Sequence, residues 1–441
     1  MKKLLYLLCF LLPFTSNGQY YISTVVGNGS SGATGDGGQA TNASLVNPMG
    51  LAYDAAGNLY ISEYWGHKIR KVSPDGTIST FAGTGEAGYT GNGGQATAAK
   101  MFHPIDVTVG ADGAVYVAEL TNYCIRRIGT DGIISLVAGT GEFCGTSPDG
   151  LSATSTCLDY PYAIHINAAG EMFIPELQNN RVRKVNTSGI VSTIAGTGIS
   201  GDDGDGGPAS AARINNPSDC YVDAVGNIYI PQFNTDRIRM VDAAGIIHTI
   251  AGTGIDTYTG DGGLATNATL NNPARVITDV AGNIYVADGL NCCIRKITGG
   301  IITTIAGGIG YDYFGDGGPA TAAAMKYTSD MVITPSGDIL VSDANNHVVR
   351  KLSTIPPASV AEYKSPSVLL FPNPAKNAVS VSTPLAGSFR ITIFNASGRN
   401  VYTQKMQSST QIIDISFLPS GYYSLLASFI DHDYIISLVK E

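Results

Sequence analysis

The stretch Ile247-His-Thr-Ile-Ala-Gly252, continued by Gly260-Asp-Gly-Gly-Leu-Ala265, Asn272-Pro273, Ala281-Gly-Asn-Ile-Tyr-Val-Ala-Asp288 and Cys293-Ile-Arg-Lys296, is one complete copy of a repeating unit. Its β-branched opening run returns at Ile22-Ser-Thr-Val-Val-Gly27, Ile78-Ser-Thr-Phe-Ala-Gly83, Ile134-Ser-Leu-Val-Ala-Gly139, Val191-Ser-Thr-Ile-Ala-Gly196 and Ile302-Thr-Thr-Ile-Ala-Gly307, spaced by 55 to 57 residues. A turn glycine keeps the same period at Gly57, Gly113, Gly170, Gly226, Gly282 and Gly337. A fixed period of short strands marks a radially repeated all-β architecture.

Each unit reads as four strands. Strand A follows the proline (Pro273 to Thr278), strand B is Asn283 to Asp288, strand C is Cys293 to Ile297, and strand D is the next Ile-x-Thr-Ile-Ala run. Tight Gly turns join A to B and C to D, whereas the D to A connections run to about twenty residues and carry Gly-Asp-Gly-Gly. Six A-B-C sets follow a first D strand, Ile22 to Val26, and the last set, Met331 to Leu352, has no D strand after it. The economical arrangement gives Ile22 to Val26 to that last set, closing the array and removing an exposed edge.

Composition agrees. Of 441 residues, 14% are charged and 54 are glycine, which suits a β protein rich in tight turns. Met1-Lys2-Lys3, the apolar run Leu4 to Phe14 and Thr15-Ser16-Asn17-Gly18 have the form of a secretory signal peptide over residues 1–18, with cleavage expected near Gly18/Gln19. The apolar run is too short to span a bilayer, so no transmembrane segment is expected in the mature chain. The formal charge of −9 becomes more negative once Lys2 and Lys3 are lost, which argues against nucleic acid or an anionic membrane as partner. Seven cysteines become six without Cys9. Export permits disulfides, and Cys144 with Cys157, in one irregular loop, is the expected pair, whereas Cys292 and Cys293 read as two separate buried thiols.

The recurring Gly-Asn-Ile-Tyr-Val-Ala-Asp, Ile-Arg-Lys and Gly-Asp-Gly-Gly-Pro-Ala resemble NHL-type propeller repeats, and the unit is assigned to residues 19–354. The resemblance implies a six-bladed β-propeller with strand A lining a central channel and the D to A and B to C connections emerging on one face. Residues 355–366, with Ile355-Pro-Pro-Ala-Ser, read as a linker. Residues 367–441 alternate apolar and polar residues, as in Phe389-Arg-Ile-Thr-Ile-Phe, which indicates a small β-sandwich. Phe371-Pro-Asn-Pro-Ala-Lys376, Asn395-Ala-Ser-Gly-Arg399, Leu418-Pro-Ser-Gly-Tyr-Tyr423 and the terminal Ile435 to Lys440 resemble the type A C-terminal sorting domain of the Bacteroidetes type IX secretion system. That resemblance implies passage through the type IX machinery to the cell surface or the medium.

Two residues after the strand A proline stands the column Gly50, Asp106, Ala163, Asp219, Arg275, Asp330. Its acids suit a divalent cation or an amine; the plainer expectation is three solvated carboxylates with Arg275 as a partial counter-ion. The end of strand B carries Glu63, Glu119, Glu176, Gln232, Asp288, Asp343, and seven residues later come Arg70, Arg126, Arg183, Arg239, Arg295 and Arg350. Pairing across the B-C hairpin in every unit assigns this pair of columns to the scaffold, with the columns expected to fall opposite each other. The Gly-Asp-Gly-Gly loops read as turns fixed by Asp on backbone amides, with the third connection lacking the motif and carrying Cys144 and Cys157 instead.

The histidines share no column, and no nucleophile, base and orienter set can be assembled from spacing. Tyr64, Trp65 and Tyr123 decorate the B to C loops, where exposed aromatics suit carbohydrate or peptide contacts. The expected function is therefore a surface or extracellular binding or scaffold module engaging a protein, peptide or glycan through Trp65, Tyr64, Tyr123, Asp106, Asp219, Arg275 and Asp330, with no cofactor beyond that cation. The rival is a metal-dependent propeller enzyme resembling lactonases or lyases.

Overall fold

A computed structural model describes residues 19–308, 310–356, 369–371, 375–382, 388–395, 399–407, 410–428 and 433–440. The expected signal peptide, most of the linker and the centres of the Phe371 to Lys376 and Asn395 to Arg399 motifs lie outside these residues. The chain is all-β and built largely of four-stranded antiparallel sheets.

The first sheet comprises Pro48–Tyr53, Leu59–Glu63, Lys68–Val72 and Ile78–Ala82, in the A to D order read from the repeat. The second comprises Pro104–Val109, Val115–Glu119, Cys124–Ile128 and Ile134–Gly139, and the fifth Pro273–Thr278, Ile284–Asp288, Cys293–Thr298 and Ile301–Gly307. In the sixth sheet, Thr328–Ile333, Ile339–Asp343 and Val348–Ser353 are completed by Tyr21–Val26, which runs antiparallel to Val348–Ser353 with Tyr21 opposite Ser353.

Strand A is reduced to two residues in the third sheet (His165–Ile166) and the fourth (Tyr221–Val222). Both sheets carry proline in strand B, and Pro175 and Pro231 turn their carbonyls towards strand A, accepting from Tyr162 and Ser218. The missing N–H of each proline therefore falls on the same side and removes the ladder bond that would extend the pair.

Consecutive sheets meet through apolar side chains. Tyr60, Ile69 and Ala82 of the first sheet pack with Val107, Val117 and Ile128 of the second. Leu340 and Val349 of the sixth pack with Leu51, Ile61 and Ile78 of the first. The long D to A connections are also ordered. Gly37 donates to Ile78 O and Ile78 donates to Gly38 O, so each Gly-Asp-Gly-Gly segment pairs with the outer strand of the next sheet. The last copy repeats the bonds with the N-terminal strand, Gly317 to Ile22 O and Ile22 to Gly318 O. A single 3₁₀ turn such as Ala40–Asn42 then leads into the next strand A.

The tail forms two sheets, Leu369–Phe371 with Ala378–Ser382 and Thr410–Asp414, and Asn400–Met406, Phe389–Asn395, Gly421–Ser428 and Asp433–Lys440 in spatial order. Val379, Val381 and Ile413 of one share a core with Ile391, Ile393, Leu425 and Leu438 of the other.

Candidate ligand-binding site

The site stands on a framework of buried arginines. Arg70, Arg126, Arg183, Arg239, Arg295 and Arg350 are wholly buried. Arg183 Nη1 lies 3.2 Å from Glu176, and Arg295 Nη1 3.1 Å from Asp288. The two columns are not directly opposite, as expected from the hairpin, but diagonal: Glu63 faces Lys68, and Arg70 faces Ile61. Each arginine has a second partner that the hairpin reading missed, the acid of the long loop: Asp36 at 2.5 Å from Arg70, Asp205 at 2.6 Å from Arg239 and Asp261 at 2.8 Å from Arg295. In the second joint Asn92 accepts from Arg126 Nε at 3.0 Å. The other carboxylate oxygen takes a backbone N–H from strand D, as Asp205 does from Thr249. Asp149 makes the same contacts with Arg183 and Thr193 in the third connection, so that loop keeps the acid and adds the Cys144–Cys157 disulfide. The loop residue, an aspartate in five joints and Asn92 in the second, precedes its arginine by 34 residues in every joint, a spacing visible in the sequence.

Two more columns line the loop-rich face. All twelve non-glycine residues with left-handed backbone among those described fall in them: Asn47, His103, Tyr160, Asn216, Asn272 and Tyr327 before strand A, and His67, Tyr123, Asn180, Asp236, Cys292 and His347 in the B to C turn. Such backbone costs about 1 kcal/mol or more per residue and is held here by bonds between sheets. His103 N–H donates to His67 Nδ1 at 3.3 Å, Asn216 N–H to Asn180 Oδ1 at 2.9 Å and Asn272 N–H to Asp236 Oδ1 at 2.7 Å. Asn47 N–H donates to His347 Nδ1 at 3.2 Å, joining the first sheet to the sixth. His67 and His347 thus act as neutral acceptors, and burial lowers the pKa of both. Tyr123 packs edge-on against Tyr160 at 5.1 Å in the equivalent joint.

Beneath this face the strand A column converges. Arg275 Nη1 lies 3.0 Å from Asp106 and 3.2 Å from Asp219, and its Nε 2.8 Å from Asp330. The Asp330 contact is off line for a hydrogen bond and acts as an ion pair. The three aspartates are 3%, 1% and 3% exposed, so the expectation of solvated carboxylates is corrected. Each also accepts a backbone N–H from strand A of the next sheet: Asp106 from Ile164, Asp219 from Val276 and Asp330 from Leu51. The position a divalent cation would take between these carboxylates is held by the guanidinium, and the described residues include no cluster of three His, Cys, Asp or Glu placed for a metal. One cation among three buried acids leaves the group short of positive charge. Burial pushes Asp219 up to about 6 and raises Asp330 well above the usual carboxylate range. Nearby His165 is lowered to about 4, first by burial and then by the charge of Arg275.

Above the hub lies an open cavity of about 310 Å³. Asn47, Met49, Tyr64 and Trp65 from the first sheet form one side, with Ile105 and Leu120 from the second. Tyr162 of the third and Tyr327 and Asn345 of the sixth complete it. Met49, Ile105 and Tyr162 also border the small space of about 20 Å³ around Arg275, so they separate cavity from hub. Trp65 is 60% exposed. Tyr64 and His103 stack at 4.3 Å, and Trp65 stands perpendicular to both, 4.8 and 4.7 Å away. These contacts hold the indole in place while much of it stays open to solvent.

Of the residues singled out from sequence, Tyr64 and Trp65 line the cavity, the four charged residues lie below it, and Tyr123 stands outside its lining. The remaining lining residues were missed. Their signal is the column directly after the strand A proline, whose place Thr328 takes in the sixth unit: Met49, Ile105 and Tyr162 are large, while Ser218, Ala274 and Ser329 are small. The cavity thus has three bulky residues along one side of its floor.

With the sheets and this face described, the comparisons show which proteins the chain is similar to. Residues 23–90 match the model of the Teneurin NHL domain, and residues 369–440 that of the secretion system C-terminal sorting domain. The chain is 30% identical over 231 residues to Teneurin-4 of Mus musculus, covering 47% of this chain and 8% of the relative. It is 25% identical over 363 residues to Teneurin-m of Drosophila melanogaster, covering 73% of this chain and 12% of the relative. The chain therefore corresponds to a small part of these much longer proteins. Among solved structures, an auxiliary nutrient binding protein from Bacteroides thetaiotaomicron aligns with TM-score 0.56 and 14% identity over 76% of each chain. One of that description from Bacteroides ovatus aligns with TM-score 0.53 and 15% identity, again over 76% of each. The sorting domain directs the chain across the outer membrane, to the cell surface or the extracellular space.

Proposed function

We propose that the chain is an exported binding module: a closed six-bladed propeller over residues 19–354, a linker over 355–366, and a sorting domain over 367–441 folded as a small β-sandwich. Tyr21–Val26 completes the sixth blade, and its bonds with the 315–318 loop repeat those made at the other joints. The shared core of the sixth and first sheets supports the same closure. The partner outside the cell is a protein, peptide or glycan, engaged through the loop-rich face.

The observation carrying this reading is the 310 Å³ cavity with the exposed Trp65 in its lining. Asp106, Asp219, Asp330 and Arg275 serve as its floor, holding the inner strands at fixed spacing, since their charges are engaged with one another and with backbone amides. Aromatic side chains present large rigid contact area at low entropic cost. The test screens the purified chain against glycan and peptide arrays beside Trp65→Ala and, as control, Val280→Ala, an exposed residue at the A to B turn on the other end of the fifth sheet. Binding retained by Val280→Ala and lost by Trp65→Ala is expected; equal binding by both variants would overturn the reading.

A further inference from the structure

We infer that the cavity takes a neutral pyranose unit of a glycan, stacked on Trp65; the inference rests on the binding role proposed above. Four features point to it. First, none of the nine lining residues is charged, although the chain carries 26 Lys and Arg and 35 Asp and Glu. The ions beneath it, Arg275 and its three aspartates, are walled off from the cavity by Met49, Ile105 and Tyr162. A ligand bearing an ammonium or a carboxylate would be desolvated here with no counter-charge in the lining itself.

Second, Trp65 is fixed by its perpendicular contacts with the Tyr64–His103 stack, so the exposed indole is preset. A flat, apolar, rigid surface matches the C–H face of a sugar ring, and little side-chain entropy is lost on contact. Third, hydrogen-bonding groups line the cavity together with the aromatic side chains. Asn47 Nδ2 donates to Ala344 O and to Asn345 Oδ1, which fixes both amides. Their remaining ends, Asn47 Oδ1 and Asn345 Nδ2, make no hydrogen bond among the described residues and offer one acceptor and one donor, the pair a sugar hydroxyl needs. Fourth, about 310 Å³ accommodates one or two rings but not an extended peptide with several side chains.

The sole tryptophan of the chain is Trp65, so its emission reports the cavity directly. The experiment titrates the purified chain with cellobiose, maltose, mannobiose and chitobiose, with a uronic-acid disaccharide, and with the capped tripeptide acetyl-Gly-Tyr-Gly-amide, following Trp65 fluorescence. Binding heats are then measured for the wild-type chain and for Trp65→Ala and Asn345→Ala, with circular dichroism as the check on folding. The expected result is a saturable emission change with at least one neutral disaccharide and none with the uronic acid, and affinity weakened by about tenfold or more in Trp65→Ala. Saturation by the tripeptide and not by sugars would overturn the carbohydrate inference while leaving the binding site intact. Sugar binding unchanged in folded Trp65→Ala, or no emission change with any probe, would overturn both.

Discussion

Arg275 shows how one side chain can settle the interior of a repeat protein. It is the only cation in a column otherwise of Gly, Ala and Asp, and it touches all three acids of that column. Arg275→Leu would leave three buried carboxylates uncompensated, and a loss of about 3–5 kcal/mol is expected in urea denaturation. Periodicity revealed Arg275 as the odd member of its column but not its burial, because a repeat fixes each residue's place within the unit and not how closely units converge. That convergence is tight: a Cβ on Gly50 would lie 2.7 Å from the Asp106 Cα. The expectation that the histidines share no column is corrected, since His67 and His347 each stand three residues before the repeat arginine; their role was not legible because it depends on a contact with the next sheet. His347 must be neutral to accept from Asn47, and burial, reinforced by Lys326, lowers its pKa. Its contribution is thus complete above the unfolded value of about 6.5 and lost as pH falls through the lower folded value. His347→Asn, with the acceptor Asn180 already supplies elsewhere, should melt like the wild type at pH 7.5 and lose less stability on moving to pH 5.

At the scale of the element, the long D to A connection is a structural joint. Its acid binds a buried arginine and a strand D amide of the following sheet at once, as Asp205 does with Arg239 and Thr249. Tyr258 and Tyr313 in these loops also lie over Arg295 and Arg350, at 5.0 and 5.4 Å, and shield the ion pairs. Asp205→Ala should cost about 1–3 kcal/mol by stranding Arg239, whereas Asp205→Asn should cost well under half of that, because Asn92 fills the same place beside Arg126. Paired chemical denaturation curves decide between them. Strand order and the turn glycines were readable from period alone. The truncated A strands of the third and fourth sheets were not anticipated, although Pro175 and Pro231 were in plain view, because the side to which each missing N–H points emerges only from the pairing.

For the whole molecule, the count of strands against sheets was the most informative reading, since an unmatched first strand and an incomplete last set have one economical solution. The tail was recognisable from its motifs, and its two sheets share a core. The cavity was the least accessible feature, being assembled from residues of four sheets that lie in different columns. Deleting residues 19–26 should expose the Val348–Ser353 edge and convert a monomer into dimers or larger species on size exclusion. A synthetic peptide of residues 19–26 added in excess should restore the monomer, and a truncated chain that stays monomeric without the peptide would count against closure by this strand.

The pairing of Tyr21–Val26 with Val348–Ser353 also sets a schedule. Tyr21–Val26 is synthesised before the other described strands and its partner comes more than 300 residues later, so the sixth sheet cannot be completed until nearly all of the repeats are made. Contacts so distant in sequence carry a large loop-closure cost and form slowly. During that interval the Val348–Ser353 edge waits on a strand made long before it, so the sixth sheet depends on both ends of the repeat region meeting.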